Sequence, residues 1–186
     1  LYKVIQIGDQ VWMAENFRTT HLNDDTPIPQ LKTSWGSTSS PAYCWHSNNE
    51  ADYKYPYGAL YNWYAVAHEK FCPDGWRVPN HEDWTNLVDY LGGISVAADK
   101  LKETGTVYWF LGNAGATNES GFTGRPGGMR MQDGTFYPVW TDAYWWSASE
   151  SGSMDAENWQ IFVNSPYCQT NSFSKSFGLS VRLMRE

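Results

Sequence analysis

Three kinds of side chain in this sequence could do chemistry: paired acids, thiols with imidazoles, and a large surplus of aromatic rings. Glycoside hydrolysis needs two carboxylates about 5 to 10 Å apart. Asp155 and Glu157 are close in sequence, as are Asp24 and Asp25, and Asp133 stands beside Gly134. Adjacent acids in loops are ordinarily solvated turn residues. No neighbouring motif tunes or positions one of them, so the sequence does not favour general acid–base catalysis. Cys44, Cys72 and Cys168 include no pair two to four residues apart, and His21, His46, His68 and His81 stand alone, which argues against structural zinc. A Cys44–Cys72 bridge would close a loop of roughly 30 residues and add about 3 to 4 kcal/mol in an oxidising compartment. Three small buried thiols are the equal alternative. No Ser/His/Asp order, phosphate-cradling glycine loop or His-x-x-x-His helix is present. No cofactor is therefore expected. Asn118, Glu119 and Asp133 supply oxygen ligands for a structural Ca²⁺, although a polar loop bonded to its own backbone is the favoured reading.

The aromatic surplus is the stronger signal. Eleven Trp, 12 Tyr and 8 Phe occur among 186 residues, clustered as in Tyr61-Asn62-Trp63-Tyr64 and Tyr144-Trp145-Trp146. Large rings lose little rotamer entropy on packing, so they suit a bulky core or a face that stacks on flat ligands such as sugars.

The rest of the composition narrows the partners. A net charge of −7, with 13 scattered Lys and Arg, lacks the basic footprint of nucleic-acid or anionic-membrane binding. No apolar run of about 18 residues exists to span a bilayer, and there is no signal-peptide pattern at the start. The length fits one domain over residues 1–186, and a start at Leu1 suggests a piece excised from a longer protein.

The elements that must position these residues read as follows. Val4–Ile7 and Val11–Met13 around Gly8-Asp9 predict an opening hairpin. Residues 18–56 carry turn-formers and predict a long surface excursion. Leu60, Trp63, Tyr64 and Ala67 have helical spacing and predict a helix over 58–69. A second helix is predicted where Asn80 caps, Trp84, Leu87, Val88 and Leu91 form the apolar face, and Gly92-Gly93 stop it. A short helical turn at 97–103 precedes a glycine-rich stretch. Strands are predicted at 135–139, 144–149, 158–164 and 179–184, and strands at both termini suggest that the ends meet in one sheet.

Several strings resemble a known family. They are Gly8–Asn16, Tyr57–Tyr64, Cys72–Pro79, Ala116–Phe122, Tyr144–Ser147 and Gly178–Arg182, and together they are similar, in order and over nearly the whole chain, to the Fibrobacter succinogenes major paralogous domain. The resemblance implies an α+β, unusual C-type-lectin-like fold, related to the formylglycine-generating sulfatase-modifying enzymes. Two helices and small antiparallel sheets would carry long irregular loops. It further implies a secreted or surface-attached bacterial module of a larger protein. Where the family often ends in Val-Arg-Cys, with a cysteine expected to pair with that of Cys-Pro-x-Gly-Trp, this chain has Leu183, so Cys72 lacks its expected partner. The copper-binding cysteine pair of the related oxidases is also missing, since the C-terminal part offers only Cys168. The Glu-Pro-Asn or Gln-Pro-Asp and Trp-Asn-Asp strings of calcium-dependent lectins do not occur.

Binding by stacked rings is what remains. Trp12, Trp63, Trp76, Trp84, Trp145 and Trp146 are assigned to the core. Trp109-Phe110, Trp159 and the rings in or beside the loop-rich second half are the free candidates. Alternation from residue 158 puts Trp159, Ile161 and Val163 on one face and Asn158, Gln160, Phe162 and Asn164 on the other, taken as outer. The expected contact set is Trp109, Tyr137, Trp140, Asp142, Tyr144, Gln160, Phe162, Asn164 and Tyr167. The function expected is a non-catalytic extracellular or cell-surface module that binds polysaccharide or host glycan, with a protein-binding adhesin as the alternative and a diverged oxidase or hydrolase as the third reading.

Overall fold

The two ends of the chain do meet in one sheet. In the computed structural model, which describes residues 1–113 and 115–186, β1 (Val4–Ile7) and β2 (Gln10–Met13) form the predicted hairpin over Gly8-Asp9. Gly8 sits at φ +59, as a two-residue hairpin loop with glycine first requires. The chain then places β3 (Tyr43–Cys44), α1 (Glu50–Tyr57), β4 (Leu60–Tyr61), α2 (Trp63–Val66), β5 (Trp76–Arg77), α3 (His81–Tyr90) and α4 (Ala97–Leu101). The second half holds β6 (Met129–Arg130), β7 (Phe136–Tyr137), β8 (Asp142–Glu150), β9 (Asp155–Phe162), β10 (Cys168–Ser174) and β11 (Met184–Arg185). Strand β11 lies between β2 and β5, in a sheet of order β1-β2-β11-β5. A second antiparallel sheet has the order β10-β9-β8, and β3-β4 and β6-β7 are two-stranded. The architecture is α+β.

Helix α3 follows directly from its sequence. Asn80 Oδ1 accepts from the Asp83 backbone N–H, and the Asp83 carboxylate accepts from the Asn80 N–H, so two orphan donors are satisfied reciprocally. Trp84, Leu87, Val88 and Leu91 are buried, and Gly92 and Gly93, at φ +104 and +94, end the helix. The helix predicted over 58–69 is instead split. Gly58 takes φ +78, outside helical space, Leu60-Tyr61 pair with β3, and the helix begins only at Trp63, capped by the Asn62 side chain. Helix α1 falls at the end of the stretch read as surface excursion, with Asn49 as its cap.

In the β10-β9-β8 sheet, the central strand β9 and the first part of β8 are buried on both faces, whereas the edge strand β10 is largely exposed. In register, Trp145 opposes Trp159 and Ala143 opposes Ile161 on the face that meets α3, where Trp84 and Trp159 stack at 6.0 Å and 19°. Trp146 opposes Asn158 and Tyr144 opposes Gln160 on the other face, which packs into the larger core with Trp63, Phe173 and Phe177. The neighbours Trp145 and Trp146 therefore enter different cores, as alternation along a strand demands. Each fully buried large side chain contributes on the order of 1.5–3 kcal/mol.

Candidate ligand-binding face

The set expected at the surface divides in two. Trp109 is 1% exposed, packs in the α3 core and donates from Nε1 to Gly124 O at 2.9 Å. Tyr144 is buried edge-to-face against Phe162, with Phe173 beside it, and Gln160 is buried, donating to Asn158 Oδ1 at 2.7 Å. These three cannot meet a ligand without unpacking. The alternation from residue 158 is real, but the face taken as outer is covered by the larger core, so Asn158 is buried with Gln160 and Phe162 is half-buried. Asp142 is half-buried and accepts from the Tyr144 hydroxyl at 3.2 Å. Burial pushes its carboxyl above the ordinary range against the pull of that bond, and pushes the Tyr144 phenol up as well.

Tyr137, Trp140, Asn164 and Tyr167 are exposed. Among them Trp140 has the most distinctive geometry. Its φ is +84, where a bulky L-residue is an outlier, and the residue is 52% exposed. The turn is held from both sides, by Phe110 N donating to Trp140 O at 2.7 Å and by Trp140 N donating to Pro126 O at 3.4 Å. Such strain costs about 1–3 kcal/mol and persists only where its surroundings enforce it.

Trp140 forms one side of a groove of about 220 Å³ whose other side is the 106–111 loop, with Val107, Phe110 and Leu111 all exposed. Of the pair Trp109-Phe110, the first goes into the core and the second lies on the face. The contact set expected from sequence omits Phe110, Val107 and Leu111, although apolar residues in a glycine-rich stretch with no helical or strand period to bury them are a signal. Behind the groove, Tyr57 meets Tyr108 edge-on at 5.9 Å, and the Arg125 guanidinium lies 3.9 Å over the Tyr108 ring. Tyr137 stands on β7, its carbonyl accepting from His46 Nε2 at 2.8 Å.

The polar candidates for metal binding are engaged locally. The Asn118 side chain bonds to Thr123, and Asp133 accepts from Thr135 N. Among the described residues, no group of three His, Cys, Asp or Glu side chains is placed to hold a metal ion. Cys44, Cys72 and Cys168 are free thiols, so neither the Cys44–Cys72 bridge nor another is made. Burial pushes all three up to about 12.

The fold is α+β and presents a strained tryptophan over an apolar groove. The family is specific: the profile of the Fibrobacter succinogenes major domain matches residues 5–185, and the chain belongs to that family. No curated protein and no solved structure is matched by the chain.

Proposed function

We propose that this domain is a non-catalytic binding module, acting outside the cell or at the bacterial surface, that takes a polysaccharide or host glycan against the Trp140 groove. The observation that carries this reading is Trp140 itself, an exposed indole held at φ +84 beside the exposed ring of Phe110. Sugar rings present C–H faces that pack on such plates, and small polar groups at the edge fix their orientation. Burial pushes the three thiols up to about 12, which disfavours thiolate chemistry at neutral pH. The affinity expected is weak and gains from several copies on one surface.

The aliphatic exposure of Val107 and Leu111, at 80% and 72%, favours a second reading in which a protein partner covers the same groove. Affinity electrophoresis against a panel of soluble plant and host polysaccharides separates the two. Retardation of the wild type that is lost in a folded Trp140→Ala variant supports the glycan module. Retardation by none of them counts against it and turns the search to protein partners that resist glycan-removing enzymes.

A further inference from the structure

A second concavity shares no lining residue with this groove, and none of the residues expected at the surface lines it. It is a cleft of about 460 Å³ bordered by Lys3, Glu15, Asn16, Glu103, Arg125 and Arg182. Its charges do not balance. Glu15 is paired with Arg18 at 2.7 Å and also accepts from the Lys3 backbone N–H. Glu103 is paired with Arg125 through two hydrogen bonds, at 2.5 and 3.0 Å. Lys3 and Arg182 are left, and among the described residues neither has a carboxylate within 4.0 Å of its charged nitrogens.

Arg182 is 0% exposed beneath the floor, with four hydrogen bonds to Asn16 Oδ1, Met13 O and Phe122 O. A guanidinium has five N–H donors, so one is left over, and its charge acts from a weakly screened site. Burial lowers this group to about 9. The wall over it is strained: Asn118 and Thr123 take φ +50 and +56, and the second is β-branched. Their turn, closed by Asn118 Oδ1 accepting from Thr123 N at 2.8 Å, holds the Phe122 carbonyl 2.6 Å from Arg182 Nη1. At the rim stands Tyr55, 70% exposed. On a chain of net charge −7, this cleft is a locally cationic site with an aromatic plate at its edge.

We propose that the cleft binds a carboxylate-bearing sugar, a uronic acid unit, with Lys3 facing the carboxylate, Arg182 supplying charge from below and Tyr55 packing on the ring. The choice of a sugar over another carboxylate rests on the glycan reading above. The volume suits a monosaccharide unit, and the unpaired cations select for negative charge.

The test is titration calorimetry of the whole domain with trigalacturonate and with its methyl ester, repeated on Lys3→Glu, Tyr55→Ala and Trp140→Ala. Lys3 and Tyr55 have exposed side chains, so their variants are expected to fold, which thermal unfolding verifies. Binding of the acid, weakened about tenfold or more in the ester and in Lys3→Glu, reduced by added salt and kept in Trp140→Ala, is expected. Equal binding of acid and ester, an unaffected Lys3→Glu, or no binding of trigalacturonate overturns the proposal. Binding of neutral polysaccharide lost only in Trp140→Ala would then leave the groove reading standing. Acid binding that survives in Trp140→Ala while no polysaccharide needs Trp140 would sink the groove and keep the cleft.

Discussion

Asn16 Oδ1 accepts from both Nε and Nη2 of Arg182, at 3.2 and 2.8 Å, 166 residues away in the chain. The same oxygen accepts from Trp145 Nε1 at 2.8 Å, while Asn16 Nδ2 donates to Tyr57 O and Ser180 Oγ. Arg182 in turn reaches Met13 O and Phe122 O and lies 4.1 Å over the Phe122 ring. Five of the six strings that carry the family resemblance thus meet at one buried pair of side chains. Asn16→Ala would leave Arg182, Trp145 Nε1 and Tyr57 O short of partners together, and we expect a loss on the order of 3 kcal/mol. Urea unfolding checks this; a midpoint within error of wild type would contradict the network's structural role.

The strain at Trp140 separates two substitutions. Alanine keeps a Cβ at φ +84 and glycine does not, so Trp140→Gly should be more stable than Trp140→Ala by about 1 kcal/mol, against the usual order of these residues. Both should abolish any binding at the groove. Thermal unfolding of the two variants decides, and a less stable glycine variant would mean that the backbone is not strained there.

The thiols predict an alkaline limit. Burial raises Cys44, Cys72 and Cys168 from 9.0 to about 12, so the unfolded chain releases these protons first. Their contribution to stability is complete below pH 9 and is lost as the pH rises from there toward 12. Labelling with a thiol reagent at pH 8 should be slow in the native protein and complete, at three equivalents, in denaturant. Fast native labelling of a single site would show that one thiol is more open than its burial indicates.

Asp83 predicts the acid limb. Burial would raise its carboxyl, but hydrogen bonds from Arg77 and the Asn80 N–H hold it below the ordinary 3.8. Its contribution is present above the unfolded value and fades as the pH falls through the lower, folded one. Asp83→Asn removes the charge that pairs with Arg77 while keeping an Oδ1 able to accept from the Asn80 N–H, at a cost of about 1–2 kcal/mol at neutral pH that shrinks in acid. Chemical denaturation at two pH values measures the difference, and a pH-independent cost would refute the electrostatic share.

The sequence by itself determined the elements whose signals are local. The Gly8-Asp9 hairpin, the capped and glycine-ended helix at His81–Tyr90, and the ordered family strings all depend on residues within a turn or two of each other. Tertiary structure decided which rings are free. Trp109 and Phe110 are adjacent and chemically alike, yet one is buried in the same core as Trp84 and Trp145 while the other is exposed. Residues 158–162 alternate as a half-exposed strand would, but β9 is the central strand with a core against each face, so the pattern could not reveal an outer side. The charged cleft was illegible for the same reason: Lys3, Glu103 and Arg182 become neighbours only when the chain's two ends close on its middle. Periodicity records a residue's relation to its own element, whereas exposure depends on what packs against that element from far along the chain.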